Sequence, residues 1–212
     1  MNIWVFRVTR GVPGGNPVGS CPIGLDYEYL QSTLDNITPT PLRYDGSEVA
    51  YVIGELFNNN RLRQGWGVPG LDLGQDTMEW ISKYIISSFR YWDRRVDCNE
   101  GMGRKNILNH MLEMNVGDKI FIPNVSPGSV NNRYFTLATV RHAYRFEDRA
   151  VKPDTWEKDF GHIIGVTDIK TYSYSTGDIR RSIFGAPFLH AIDPIMNFYV
   201  SYPLLYSFAA NA

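Results

Sequence analysis

Apolar positions along the chain change their spacing several times, and each change marks an element. Asn2–Thr9 is rich in Trp, Val and Phe and predicts a first strand. The stretch GVPGGNPVGSCPIG follows, and its Gly and Pro predict a loop. Tyr27–Leu34 fits a short helix, ended by Pro39 and Pro41, and Glu48–Phe57 is mixed, fitting a strand or a short helix. Residues 61–67, RLRQGWG, read as a turn. From Asp76 to Arg95, Met78, Ile81, Ile85, Phe89 and Trp92 recur every three or four residues and predict an amphipathic helix. Asp76 and Glu79 have capping-box spacing at its start. Arg90, Arg94 and Arg95 gather at its end, where cations suit the helix dipole. A second helix is predicted over Gly103–Asn115, burying Ile107, Leu108, Met111 and Leu112.

A Val116-Gly117-Asp118 turn then leads into a strand over Lys119–Val125. SPGSVNNR is a hairpin loop and Tyr134–Val140 a second strand, which Ala143–Phe146 continues or turns. Asp148–Lys158 is a polar loop and Phe160–Tyr172 a further strand, and Arg180–Phe184 opens a last, apolar segment. A strand, then helices, then several strands defines a mixed α+β class, with a small curved β-sheet or barrel flanked by helices. With no internal repeat and no boundary signal, the expectation is a single domain over 1–212, its core spanning about 1–170 and a C-terminal appendage about 171–212.

Composition narrows the function classes. The 212 residues are 43% hydrophobic, enough for a real core, and the formal net charge is −1, so any nucleic-acid binding must come from a local basic patch. Aromatic residues make up 14% and can stack on bases as well as fill a core. Cys21 and Cys98 permit one disulfide; the expectation is two free thiols in a reducing cytoplasm. The N-terminal MNIWVFRVTRG is not a signal peptide and no stretch matches a membrane span, so no membrane partner is expected. His110, His142, His162 and His190 lack metal-ligand spacing, and His162 in FGHIIG reads as a satisfied sheet histidine. Glu157 and Lys158 are adjacent rather than two apart, so they would point opposite ways on a nuclease strand. No P-loop, GxSxG or HExxH motif occurs. The chain therefore reads as non-catalytic and without a cofactor.

The candidate chemistry lies in RLRQGWG. Gly65 and Gly67 strip bulk from both sides of Trp66, either for a tight turn around a core Trp or to expose an aromatic plate to a flat ligand. Arg61 and Arg63 precede it, and Arg104 and Lys105 stand at the predicted start of a helix, where backbone amides attract an anion and a cation is otherwise poorly placed. Together they are candidate phosphate contacts. Asn106 could hydrogen-bond a base edge or serve the helix, and Trp4 and Phe6 could simply face the core.

The run KNILNHMLEMNVGDKIFIPNV…RYFTLATVRHAYRF, with Asn106, Leu108, Met114, Gly117 and Asp118 in order, resembles the PUA-like superfold, in particular EVE and YTH-type domains. The early aromatic strand with Trp4 and Phe6, and Trp66 ahead of the helix, occur in the corresponding order. The resemblance implies a reader that holds a flipped, modified base in an aromatic cage. Trp66, Gly65, Gly67, Trp4, Asn106 and Phe121 would line the site, and Arg61, Arg63, Arg104 and Lys105 would contact phosphates. It further implies a nucleic-acid partner, DNA ahead of RNA, and a nuclease or motor subunit carrying the chemistry, as in modification-dependent restriction systems. The alternatives are a nucleotide or small-molecule sensor using the same pocket, and a structural subunit whose aromatics are all core.

Overall fold

The structure is a computed structural model that describes residues 1–8, 19–148, 155–174, 179, 192–194 and 203–212. Thr9, the loop positions 9–18 and 149–154, Arg180–Phe184 and His190 lie outside the described residues.

Strand β1 (Ile3–Phe6) is buried on both faces. The mixed stretch near residue 50 resolves as a helix: α1 (Tyr27–Asp35) is followed by α2 (Ser47–Asn59). RLRQGWG is not all turn, because Arg61–Gln64 forms strand β2 and only the last three residues bend. Helix α3 (Thr77–Trp92) starts where Asp76 predicts, its carboxylate accepting from the backbone N–H groups of Met78 and Glu79. Glu79 does not close the capping box; it pairs with Lys83.

Helix α4 (Cys98–Glu113) begins five residues before the predicted Gly103, with Asp97 as its cap. Its glycines hid that first turn. A Cβ on Gly101 would stand 3.4 Å from both Ile81 and Tyr84, so the glycine lets α4 lie close against α3. The rest of the sheet is β3 (Lys119–Ser126), β4 (Ser129–Phe146), β5 (His162–Ser173) and β6 (Ile192–Pro194), and α5 (Pro203–Asn211) ends the chain. The predicted hairpin loop shrinks to Pro127-Gly128, with Gly128 at φ +78°, and β4 absorbs the rest.

The strands order β2-β5-β4-β3-β1-β6. Strand β1 runs parallel to β3 and the other pairs are antiparallel. The end strands β2 and β6 are not paired with each other among the described residues, so the expected α+β class holds and the sheet is open rather than a closed barrel. One face carries the main core: Trp4, Phe6, Leu62, Ile120 and Ile122 meet Trp80, Ile81, Leu108 and Met111 from α3 and α4. The opposite face carries Ile3, Val5, Phe121, Phe135 and Leu137 beneath Leu205 and Ala209 of α5. Among the described residues beyond 171, β6 extends the sheet at β1 and α5 covers its opposite face.

Cys21 and Cys98 form a disulfide, which overturns the expectation of free thiols. It fastens the segment ahead of α1 to the first residue of α4. Gly19 lies so close there that a Cβ would stand 2.9 Å from the Gly103 nitrogen. Among the described residues, no helix is long and apolar enough to cross a membrane.

Candidate functional site

Strand β2 alternates its side chains between two environments. Leu62 joins the main core, whereas Arg61 and Arg63 point the other way, toward α2 and the end of β4. Arg63 is 1% exposed. Its guanidinium pairs with Glu55 at 2.5 Å and Glu147 at 2.7 Å, and donates to the Phe160 carbonyl at 2.9 Å. Burial opposes that charge, but the two carboxylates outweigh it and raise the Arg63 pKa. Burial also pushes the Glu55 and Glu147 pKa values up, and Arg63 overrides it and holds both low. Arg63 is therefore a frame residue, which corrects its assignment as a phosphate contact. Arg61, half exposed, stands 3.8 Å from Glu55 and 3.7 Å from Glu147.

Past Gln64 the chain turns through Trp66 at φ +63°. That conformation is costly for any residue with a Cβ, by about 1–2 kcal/mol, and here several contacts impose it. The Trp66 N–H donates to Asp159 Oδ1 at 2.6 Å, and the Gly67 N–H to the Asp159 carbonyl at 2.9 Å. Gly161 N–H donates to the Gly67 carbonyl, and His162 Nε2 lies 3.2 Å from the Trp66 carbonyl. The two flanking glycines differ in purpose. A Cβ on Gly67 would lie 2.6 Å from the Gly161 nitrogen, so only glycine fits there. A Cβ on Gly65 would meet Asp159 Oδ2 at 3.5 Å, ordinary contact.

Behind the turn is a buried polar chain. Asp159 Oδ2 accepts from the Tyr44 hydroxyl at 2.7 Å, and Trp92 Nε1 donates to that hydroxyl at 3.0 Å. His162 Nδ1 lies 3.0 Å from the Tyr144 hydroxyl, which accepts from the Leu73 N–H and stands 3.2 Å from Asp72 Oδ1; with the ring proton on Nε2, the one hydroxyl proton serves Nδ1. Burial lowers the His162 pKa to about 4, against a smaller upward pull from the Trp66 carbonyl, so the ring is neutral and its Nε2–H donates to that carbonyl. Burial likewise pushes the Tyr144 phenol up.

The Trp66 ring is half-buried against the main core. The Arg104 guanidinium sits 3.6 Å over its centroid, so one face of the plate is already covered. Arg104 is 9% exposed. Its Nε–H is buried without a hydrogen-bond partner, and it makes no ion pair among the described residues. Burial raises the pKa of the Tyr84 phenol, and the Arg104 guanidinium opposes it through its charge and a hydrogen bond to the hydroxyl; Tyr84 itself stacks on Trp80 at 5.1 Å. Lys105 is 3% exposed; its Nζ donates to the Gln75 carbonyl at 3.1 Å and lies 5.7 Å from the Trp80 centroid. Burial lowers the Lys105 pKa, and Asp76 offsets it only in part. Both cations stand in the second turn of α4, so the helix-start argument for them does not apply, and burial replaces it.

The structure thus brings Gly65, Trp66, Gly67 and Arg104 into one neighbourhood, while Lys105, next along α4, lies against Gln75 and Trp80. Three other expected ligand contacts are elsewhere. Trp4 is buried in the main core, with Nε1 donating to Asp118. Asp118 also accepts from the backbone of Asn2 and Asn115, so the Gly-Asp turn anchors β1. Burial pulls the Asp118 pKa up, and these donors outweigh it and hold it low. Phe121 is buried beneath α5 on the opposite face of the sheet. Asn106 is exposed on α4 between neighbours that are buried. Asp159, Tyr144, Asp72, Gln64 and Gln75 were not foreseen. The one signal for the first of them was the second glycine, Gly161 in FGH, which faces Gly67.

No family model matches the chain, and neither a curated protein nor a solved structure matches it.

Proposed function

We propose that the chain is a non-catalytic binding domain that takes a nucleotide-like ligand at the Trp66 turn. The observation that carries this reading is the backbone of Trp66. Among the described residues, the other non-glycine residues at positive φ are Asn60, Asp93, Asn124 and Asp168, types that tolerate it. A tryptophan there is an outlier, held by Asp159, His162 and the Gly67–Gly161 contact. Strain that the surroundings impose on one bulky residue is a mark of a binding or switch site. The half-buried ring keeps part of its surface open to a planar group, where stacking contributes about 1–3 kcal/mol. The PUA-like resemblance supports a base or nucleotide as that planar group. The free ligand is favoured over a polymer because the expected phosphate patch has lost Arg63 to an internal pair, and Arg104 and Lys105 are buried.

A flipped base of a nucleic acid is the second reading. Half-exposed Arg61 and exposed Arg145 both flank Glu147 at the rim of the sheet, where a polymer backbone could pass. The test is a panel of mononucleotides and short duplexes, unmodified, base-methylated and hydroxymethylated, at two salt concentrations, for wild type and Trp66→Ala. The proposed reading expects a mononucleotide to bind with little salt dependence and Trp66→Ala to remove that binding while the circular dichroism is kept. Steep salt dependence with duplex alone selects the second reading. Absence of binding across the panel overturns both.

A further inference from the structure

We propose that Arg104 and Lys105 form a built subsite for a compact oxyanion, a phosphate group, beside the Trp66 ring. This deepens the reading above and rests on it for the identity of the rest of the ligand. A buried guanidinium carries five N–H donors and a charge that the protein interior tolerates poorly unless it is paired. Arg63 shows how this chain pairs such a group when the role is structural: two carboxylates and a carbonyl surround it. Arg104 is nearly as enclosed, yet its Nε–H has no partner and no carboxylate among the described residues pairs with it. Glu100, one turn earlier on the same helix, pairs with exposed Arg94 at 3.2 Å instead.

The guanidinium is already oriented. Its Cζ stands 3.6 Å from the centroid of the Trp66 ring, which fixes the position of a planar fork that can grip two oxygens of a phosphate at once. Lys105 adds a second buried cation on the adjacent residue, fixed by the Gln75 carbonyl and facing Trp80. Two acceptors are also buried without partners. They are Gln64 Oε1, near in the chain to Trp66, and Gln75 Oε1, on the residue whose carbonyl holds Lys105. An unmet donor on the Arg104 cation, with unmet acceptors on Gln64 and Gln75, suits an oxyanion that also carries a proton. A hydrogen-phosphate on a nucleotide offers both. The burial of the cations sets the size: a terminal phosphate of a free molecule reaches them more readily than a phosphodiester inside a polymer.

The test uses the full chain and reads thermal midpoint and calorimetric affinity with inorganic phosphate, AMP, GMP and a short duplex. The variants are Arg104→Met, Lys105→Met and, as an exposed control in the segment just before α4, Arg94→Met. The expected result is that phosphate and the mononucleotides raise the wild-type midpoint. Arg104→Met weakens their binding about 10- to 100-fold, as loss of charge-assisted hydrogen bonds does, and Arg94→Met leaves it unchanged. Should Arg104→Met fail to fold, Arg104→Lys and Lys105→Met carry the same comparison. If phosphate and nucleotides leave the midpoint unmoved and give no heat, the subsite is overturned. It is overturned too if they bind equally well to Arg104→Met and Lys105→Met; nucleotide binding that Trp66→Ala removes would then leave the function above intact. Conversely, if phosphate binds through Arg104 but AMP and GMP bind no tighter and ignore Trp66→Ala, the subsite stands and the nucleotide reading falls.

Discussion

Arg63 and Arg104 stand on either side of the same turn, both buried, and the chain treats their charges in opposite ways. Around Arg63 the interior is complete. Glu55 and Glu147 neutralise the guanidinium, the Phe160 carbonyl takes a third N–H, and Arg61 and Arg145 share Glu147 at the rim. Around Arg104 no carboxylate among the described residues closes the pair: an aromatic face and the Tyr84 phenol meet the cation, a second cation follows on the next residue, and its Nε–H stays unmet. A buried ion that the protein pairs with itself belongs to its frame. One that it orients but leaves unpaired is placed for something from outside. Two buried arginines can therefore carry unequal meaning, and substitution separates them.

The largest effect is expected on the paired side. Arg63→Met leaves the Glu55 carboxylate buried without its partner, and breaking such a pair costs about 3–5 kcal/mol. A urea titration of Arg63→Met against wild type should show a midpoint lowered by a large fraction of the total stability. Arg63→Met combined with Glu55→Gln should recover part of the loss, because the stranded charge is removed as well. An unchanged midpoint in Arg63→Met would dissolve the contrast between the two arginines.

The staple on α4 comes next. Cys21 and Cys98 close a loop across a separation of 77 residues, and removing a disulfide over such a span costs about 2–5 kcal/mol. The double variant Cys21→Ser with Cys98→Ser should lower the thermal midpoint. It should also weaken anion binding more than it disturbs the Arg63 side, because the stapled segment lies against Gly103, the residue before Arg104. Hydrogen exchange resolves the two regions: amides of the first turns of α4 should exchange faster, while those of β2 keep their protection.

Between the two arginines lies His162, whose neutral ring holds the Trp66 carbonyl. Its pKa in the folded chain is about 4, below the ordinary value of 6.5. The unfolded chain therefore binds a proton over that window while the folded one does not, so stability is whole above about pH 6.5 and falls toward pH 4, by on the order of 3 kcal/mol. Glu55, Glu147 and Asp118, all held low, take their toll only at more acid pH, where the unfolded carboxylates begin to protonate. Denaturant midpoints from pH 7.5 to 4 should slope downward in wild type and flatten in His162→Gln. A flat wild-type profile would mean that the ring is not sealed behind the turn.

How much of this was legible in the chain depends on the range over which each decision is made. Helix α3 was legible because its cap and its spacing are local, and so were β3, much of β4, and the alternation that sends Trp4 and Phe6 into one core. Helix α4 was legible only from its second turn, since Gly101 and Gly103 are residues chosen for close contact rather than for helix formation. The arginines were not separable at all. Arg63 owes its role to Glu147, 84 residues away, and Trp66 owes its strained backbone to Asp159, 93 residues away. Periodicity carries no record of such pairings. The disulfide is a decision of the same long-range kind.

The smallest effect is the one that most directly tests the comparison, because its sign should be reversed. Arg104→Met removes a buried charge that has no counter-ion and replaces it with an apolar chain that can still cover the Trp66 ring. The loss is a cation–π contact of about 1–2 kcal/mol and whatever the guanidinium gives Tyr84. The gain is relief from burying an unpaired ion, which costs several kcal/mol even after relaxation. The two nearly cancel, with relief slightly ahead, so the ligand-free variant should melt at or up to a few degrees above wild type. A paired, structural arginine cannot behave this way, as Arg63→Met would show alongside it. If Arg104→Met instead destabilises the ligand-free protein as much as Arg63→Met does, then Arg104 too belongs to the frame, and the chain has finished both sides of its turn.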